Sequence, residues 1–261
     1  MFTRIGHVTL AALSETTRVT SLPYAAAKSY FVERRKSRGL LLKSTLTQLY
    51  FTAVEPLAFF LTLGLISGLV ILVLSVRLLE PTALAQHVPT VVVRAVALEV
   101  VPLIIALVLT GRSGTAVATE LGYMRVNGEV DALDAAGINI DYFLVLPRLV
   151  GITLASVTLT VMMSAAGLFG GYGLGSSLGL LGVALHASDL LDAVHPAVVG
   201  VALMKAAFFG ITIAAVNCHQ GLSVKRVMTE IPRANVRGSV RCYVVCFLVN
   251  AMISILVVLR G

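Results

Sequence analysis

Long apolar runs dominate this sequence and restrict it to one class of fold. Hydrophobic residues make up 57% of the 261 residues and charged residues only 13%, roughly half the charged fraction of soluble domains. A soluble core has no room for so much apolar surface. Five runs are about 20 residues long, which is the length of helix that crosses the hydrocarbon core of a bilayer. The sequence therefore predicts an all-α polytopic membrane protein with one membrane domain.

The predicted domain organisation is an N-terminal region, 1–52, followed by a five-span domain, 53–261. The predicted spans are about 53–76, 91–110, 149–174, 196–218 and 241–259. In the N-terminal region, apolar residues from Phe2 to Leu13 recur at roughly helical spacing, and a basic run follows at 33–38. This pattern is typical of an amphipathic helix in the membrane interface. A loosely ordered cytoplasmic tail is the alternative.

The distribution of Lys and Arg predicts the orientation. These residues number eight in 1–52, one in 77–90, two in 112–147, none in 175–195 and four in 219–240. Because cytoplasmic loops carry the excess of positive charge, we expect a cytoplasmic N-terminus and a C-terminus on the outer side. The net charge of +7 is then explained by topology and lipid headgroups, and no nucleic-acid partner is predicted.

The hydrophilic segment 111–148 separates the second and third spans. Its charged residues include Arg112, Glu120, Arg125, Glu129, Asp131, Asp134 and Asp141. A charge at the membrane centre costs about 2.5–3.5 kcal/mol on insertion scales, so this segment is expected in water. Val117, Leu121 and Met124 share one face of a helix. A charged, partly helical segment on the cytoplasmic side predicts a contact surface for a soluble partner.

The second predicted span contains Glu99, an acidic residue about 12 Å along the helix from its start. Pro102 follows it and predicts a kink, because proline removes a helix hydrogen bond. A carboxylate inside a membrane span indicates a functional site by default. The alternative is a Glu99 that is protonated or hydrogen-bonded to a neighbouring helix.

Glycines recur in two spans and predict close helix packing. Gly64 and Gly68 form a small-xxx-small pair in the first span, and Gly167 begins a glycine-rich stretch in the third. Such pairs let helices approach closely, here a neighbouring helix or a second copy of the chain. Plain packing against lipid is the alternative for the first pair.

Catalytic and metal-binding motifs are absent from the sequence. It has no Gly-x-x-x-x-Gly-Lys-[Ser/Thr] loop, His-x-x-x-His pair or CxxC motif. These are the patterns that bind ATP phosphates, hold zinc or present a nucleophile. We therefore predict no catalytic residue, no metal site and no enzymatic activity in this chain.

The hydrophilic segment also carries a resemblance. Its motifs are Gly111–Gly114, Glu120–Val126, Glu129–Leu133 and Leu144–Arg148, and the match continues through Lys205–Gly210. In this order they resemble the MlaE/YrbE family, the permease subunits of ABC systems that move lipids together with MCE-domain proteins. The similarity covers nearly the whole chain after the N-terminal region.

The resemblance implies an MlaE-like permease fold in the bacterial inner membrane. It implies a homodimer of five-span subunits, each with an N-terminal interfacial helix. A cytoplasmic ABC ATPase dimer, carrying ATP and Mg, would bind the segment between spans two and three. A hexameric MCE ring would sit on the periplasmic face, and a phospholipid would occupy a cavity at the dimer interface. A heterodimer with a paralogous permease is the alternative assembly.

This chain departs from the family pattern around Glu99 and again in the last span. The family often has Arg-Glu-Leu-Gly-Pro where this chain has Leu98-Glu99-Val100-Val101-Pro102. The acidic residue common in the last span is Asn250 here. Both changes bear on how a lipid headgroup would be contacted.

These inferences combine into one functional prediction. The chain is predicted to be an ABC permease subunit that moves phospholipid between the inner membrane and an MCE-domain protein. The predicted lipid-binding or gating residues are Leu65, Leu69, Leu72, Val73, Leu98, Glu99, Val101 and Pro102. The predicted ATPase-coupling residues are Glu120, Met124, Arg125, Glu129 and Asp131.

Two alternatives stay open on sequence alone. One is a secondary transporter or channel that uses Glu99, Lys205 and Asn250 as an ion path. The other is a membrane anchor for an MCE protein that transports nothing. Internal repeats with paired broken helices would favour the first alternative, and the sequence shows none.

Overall fold

A computed structural model describes residues 21–26, 28, 38–79, 85–180 and 186–260 of the chain. These residues form helices joined by turns and include no strand. The predicted amphipathic pattern from Phe2 to Leu13, and most of the basic run that follows, lie outside the described residues.

Eight helices are numbered here in chain order. They are α1 (Arg38–Leu49), α2 (Leu57–Leu79), α3 (Val88–Val126), α4 (Glu129–Ala135), α5 (Asp141–Ser177), α6 (Ala187–Ala193), α7 (Pro196–Leu222) and α8 (Glu230–Arg260). A π-helical turn, Tyr50–Val54, follows α1 and precedes α2. The described residues contain five helices long and apolar enough to cross a membrane: Leu41–Leu79, α3, α5, α7 and most of α8. The prediction of a five-span, all-α membrane protein is confirmed.

The long helices extend further than the apolar runs that predict them. α3 continues to Val126 and α5 begins at Asp141, so most of the predicted hydrophilic segment 111–148 belongs to these two helices. Only 127–140 lies between them, and it contains the short helix α4. Hydropathy marks the part of a helix that suits hydrocarbon, whereas backbone hydrogen bonding continues beyond the bilayer.

Two prolines fit α3 for different reasons. Pro89 lies in its first turn, where the missing N–H has no helical partner to lose. Pro102 lies inside the helix and follows a π-helical turn, Ala95–Val100. In that turn the Val101 N–H bonds the Val96 carbonyl, five residues earlier. The wider turn accommodates the proline ring, which would clash with the preceding carbonyl in a regular α-helix.

The chain divides into two compact units, which are described separately. The first comprises the described residues up to Leu49 together with Leu109–Ile152 and Ile211–Val244. The second comprises Tyr50–Val108, Thr153–Gly210 and Val245 onwards.

The second unit is built on close packing of α2 against α5. A Cβ atom added to Gly64 would lie 2.6 Å from the Met163 carbonyl oxygen, and one added to Gly68 would overlap the Gly167 backbone. Gly171 approaches the Leu69 backbone in the same way. The glycine pair of α2 therefore packs against a neighbouring helix of the same chain, as one of the sequence interpretations predicts.

The first unit holds the C-terminal half of α3 against α7 and α8. A Cβ atom added to Gly221 of α7 would lie 2.8 Å from the Ala118 carbonyl oxygen of α3. The Asn235 side chain of α8 donates a hydrogen bond to Thr119 Oγ1 at 2.7 Å. Small residues and side-chain amides thus fix this end of α3.

Replacing Gly68 with alanine is expected to destabilise the protein, because the added methyl group meets the Gly167 backbone and cannot be relieved by a rotamer change. Overpacking of this kind costs about 1–3 kcal/mol. We expect the midpoint of thermal unfolding in detergent to fall by several degrees, measured by fluorescence-detected gel filtration after heating.

Gly173→Ala is the matched control, since it is also a helical glycine but has nothing within 4 Å of an added Cβ. Alanine favours helix over glycine by about 1 kcal/mol, so this variant should be unchanged or slightly more stable. Equal destabilisation of both variants would contradict the packing role of Gly68.

Candidate functional site

Lys205 on α7 is the centre of a polar cluster in the second unit. Its side chain is completely buried, and its Nζ atom lies close to four oxygens. These are Leu98 O at 2.8 Å, Ser254 Oγ at 2.8 Å, Glu99 Oε1 at 3.1 Å and Asn250 Oδ1 at 3.1 Å. An unpaired ammonium in such a place would cost several kcal/mol. The cluster compensates for that cost and joins α3, α7 and α8 at one point.

The Glu99 carboxylate accepts hydrogen bonds from the three other side chains of the cluster. Asn250 Nδ2 donates to Oε2 at 2.8 Å, and Ser254 Oγ donates to Oε1 at 2.6 Å. Oε1 also accepts from the Lys205 ammonium. Asn250 therefore uses both ends of its amide, accepting from the lysine and donating to the glutamate.

Pro102 explains why a lysine reaches a backbone carbonyl here. In an α-helix the Leu98 carbonyl would accept from the N–H of residue 102, but proline has none. The Lys205 ammonium donates to that carbonyl instead. The lysine thus supplies the hydrogen-bond donor that Pro102 lacks, and the Leu98 carbonyl becomes an acceptor for the buried ammonium. Buried carbonyls are rarely left without a partner.

Glu99 differs from Lys205 in its exposure. The Glu99 side chain is 40% exposed, whereas that of Lys205 is 0% exposed. Val91 and Leu107 lie eight residues before and after Glu99, and they are 40% and 38% exposed. Ala95 and Leu103, which lie four residues before and after Glu99, are also partly exposed, so α3 presents a partly exposed apolar stripe with one carboxylate in its middle. Such a stripe suits a molecule with both a polar and an apolar part.

The other predicted lipid-binding residues divide by burial. Leu72, Leu98, Val101 and Pro102 are buried within the chain, whereas Leu65, Leu69 and Val73 are partly exposed. α2 packs against the turn Ala95–Val100, so the two groups belong to neighbouring helices. In this conformation a lipid tail has access only to the partly exposed group.

Glu120, the first predicted coupling residue, is paired within the first unit. Its Oε1 atom accepts from Arg148 NH2 at 2.7 Å. Arg148 is 8% exposed and also donates to the Leu144 carbonyl at 2.7 Å. Glu120 and the half-buried Met124 line a cavity of about 300 Å³ together with Arg148. This pair therefore ties α3 to the start of α5.

Two further coupling residues are paired with each other. Arg125 NH1 donates to Asp131 Oδ1 at 2.5 Å, and Arg226 donates to the other carboxylate oxygen, Oδ2. Glu129 is exposed, and its nearest described hydrogen-bond donor is Asn127 at 3.5 Å. Of the five predicted coupling residues, Glu129 is thus the one whose side chain is directed to solvent without an ion pair among the described residues.

The sequence interpretation did not assign Ser254, Arg148 or Arg226 to either site. Lys205 and Asn250 entered it only as parts of an ion path. The sequence did contain a signal for Lys205, because Glu99 and Lys205 carry opposite charges in two separate apolar runs. Charged residues within membrane spans usually pair with one another. No comparable signal marks Ser254, which is one hydroxyl in an apolar helix.

Comparison with known proteins identifies the family of this chain. The family model described as Permease MlaE matches residues 45–256. A probable ABC transporter permease protein of Rickettsia felis is 25% identical over 221 residues, covering 82% of this chain and 83% of the relative.

Two other relatives come from photosynthetic organisms. The chloroplastic protein Trigalactosyldiacylglycerol 1 of Arabidopsis thaliana is 26% identical over 219 residues, covering 81% of this chain and 61% of the relative. A probable ABC transporter permease protein of Synechocystis sp. is 28% identical over 156 residues, covering 60% of this chain and 59% of the relative. Because the family model spans both candidate sites and nearly all of the five long helices, this multi-pass membrane protein belongs to the MlaE permease family.

Proposed function

We propose that this chain is the permease subunit of an ABC transporter that moves phospholipid between the bacterial inner membrane and an MCE-domain protein. A second permease subunit, most simply another copy, completes the membrane part. ATP and Mg²⁺ are bound by a separate pair of ATPase subunits in the cytoplasm. The N-terminus is cytoplasmic and the C-terminus periplasmic, in line with the distribution of Lys and Arg.

The partly exposed Glu99 in an apolar stripe is the observation that carries this proposal. A phospholipid has tails that favour an apolar surface and a headgroup that needs polar partners. The stripe on α3 offers Leu107 to a tail and the partly exposed Glu99 carboxylate to a hydrogen-bond donor of a headgroup. The Arabidopsis relative is named after a diacylglycerol lipid, which supports a lipid with two acyl chains as the cargo.

The tails explain why this transport needs ATP. Each buried CH₂ group contributes about 0.8 kcal/mol to the binding of a lipid chain, so a two-chain lipid leaves an apolar environment slowly. The driving force would enter through α4, which has acidic residues in its first turn. α3 carries Glu99 and ends just before α4, so one helix belongs to both the lipid site and the coupling region.

The ion-path alternative fits the geometry less well. Such a path requires polar groups at successive depths along a span. Glu99, Lys205 and Asn250 are instead joined by direct hydrogen bonds in one cluster. Their mutual pairing fits a fixed polar contact for a headgroup.

Affinity purification of the chain from its native membrane tests the proposed function as a whole. We expect a stoichiometric ABC ATPase, an MCE-domain protein and bound phospholipid, identified by mass spectrometry of the same sample. A complex with no ATPase would contradict the ABC assignment. An MCE-domain protein without an ATPase and without bound lipid would support the anchor alternative.

Glu99→Ala is expected to weaken lipid binding, because the headgroup loses the exposed carboxylate and the cluster loses its closing acceptor. Hydrogen bonds to charged groups contribute about 1.5–3 kcal/mol each, which corresponds to a loss of roughly tenfold or more in affinity. The measurement is the amount of phospholipid that co-purifies, together with lipid transfer in proteoliposomes.

Asp192→Ala serves as the control for Glu99→Ala. Asp192 is an exposed carboxylate on α6 of the same unit and takes no part in the Lys205 cluster. Lipid retention by this variant should match that of the unmodified chain. If Glu99→Ala also retains lipid and transfers it at the original rate, the lipid-site assignment is wrong.

Glu129→Lys is expected to reduce ATPase binding and stimulation, since it reverses the charge of the exposed acidic residue at the start of α4. Charge pairs across interfaces affect both association rate and affinity, and we expect about a tenfold loss at low salt. Asp192→Lys makes the same change on α6 and should have no effect. Undiminished ATPase stimulation in Glu129→Lys would remove α4 from the coupling surface.

A further inference from the structure

Asp131 on α4 is held by two arginines from different parts of the first unit. Arg125 comes from the last turn of α3, and Arg226 comes from the loop 223–229 between α7 and α8. Each arginine bonds a different carboxylate oxygen. We call this group of three residues the Asp131 clamp. Because both oxygens are occupied, Asp131 is satisfied within the chain.

The loop that carries Arg226 is itself anchored. Val224 is 5% exposed and clusters with Ile231 and Ala234 at the start of α8, and Val126 of α3 packs on this cluster. A Cβ atom added to Gly122 of α3 would lie 3.3 Å from Ile231 and 3.5 Å from Val224. The base of Arg226 therefore has a fixed position relative to the end of α3.

The helix α4 needs such external support. It has seven residues, and isolated helices shorter than about 12 residues are marginal in water. Gly128 precedes it with φ 79° and Gly137 follows it with φ 72°. Glycine adopts such positive φ angles without steric cost. Val130 supplies one buried anchor, being 2% exposed. The Asp131 clamp supplies a second, on the adjacent residue.

The clamp also decides which carboxylates of α4 are left for a partner. Asp131 is neutralised by two cations, whereas Glu129 and Asp134 are exposed and lack ion pairs among the described residues. These two outward carboxylates favour a partner surface with basic groups. Their direction depends on how α4 is rotated, and the clamp fixes that rotation.

We propose that Arg226 is a positioning residue for the ATPase: through Asp131 it holds α4 so that Glu129 and Asp134 face the basic groups of the partner. This inference rests on the proposed function and adds the loop 223–229 to the coupling region. Arg226 itself acts through Asp131, not by contact with the partner.

Hydrogen–deuterium exchange and ATPase binding, measured on Arg226→Gln, test the proposal. Exposed ion pairs contribute little individually, so we expect amide exchange in 129–135 to rise by about two- to fivefold in the purified permease without partner. ATPase binding should weaken by a similar factor. Arg226→Lys should restore most of both properties, because it keeps the charge.

Lys225→Gln is the matched control, since it removes one positive charge from the same loop, is exposed and has no ion pair among the described residues. It should leave both measurements unchanged. The double variant Asp131→Asn with Arg226→Gln should be no worse than the Asp131→Asn single variant, because both act through one interaction.

Three outcomes would overturn the proposal. Exchange in 129–135 that is the same in Arg226→Gln and Lys225→Gln would show that the clamp does not hold α4. Faster exchange with unchanged ATPase binding would show that positioning of α4 is irrelevant to the partner. If the unmodified chain binds no ATPase, the proposed function and the positioning role fail together, while the exchange result still reports on the clamp itself.

Discussion

The buried ammonium of Lys205 is the interaction on which the second unit depends most. A fully buried cation is tolerable only when its partners are complete, and removing one partner is far more costly than never having had the charge. Its partners come from α3 and α8, while the lysine belongs to α7. The requirement to satisfy one side chain therefore constrains three helices at once, in a protein whose remaining contacts are mostly apolar and non-directional.

Apolar packing and the polar cluster have complementary roles. The glycines of α2 bring it into backbone contact with α5, which fixes distance but leaves sliding along the helix axis inexpensive. Directional hydrogen bonds from Lys205 fix the register of α7 against α3. The π-helical turn before Pro102 contributes to these directional hydrogen bonds. The Leu98 carbonyl, which has no N–H donor at Pro102, accepts from the lysine instead.

The sequence predicted the number and order of the spans because hydrophobicity is a local property that accumulates over about 20 residues. It also singled out Glu99, since a carboxylate in an apolar run is conspicuous. The partners of Glu99 were not predictable in the same way, because Lys205 is 106 residues away and Ser254 is 155 residues away. Likewise, the sequence predicted Asp131 as a coupling residue but not its partner, because its pairing with Arg226 depends on a contact across 95 residues.

Two departures from the family pattern near the Lys205 cluster cancel in charge. Where the family often has an arginine before the glutamate, this chain has Leu98, and where an acidic residue is common in the last span it has Asn250. Either change alone would alter the net charge of these spans by one, and charges buried without a partner are costly. Made together, they remove one positive and one negative charge. The cluster keeps one cation and one anion, and Asn250 still bridges them with its amide, so the polar contact is retained with fewer charges.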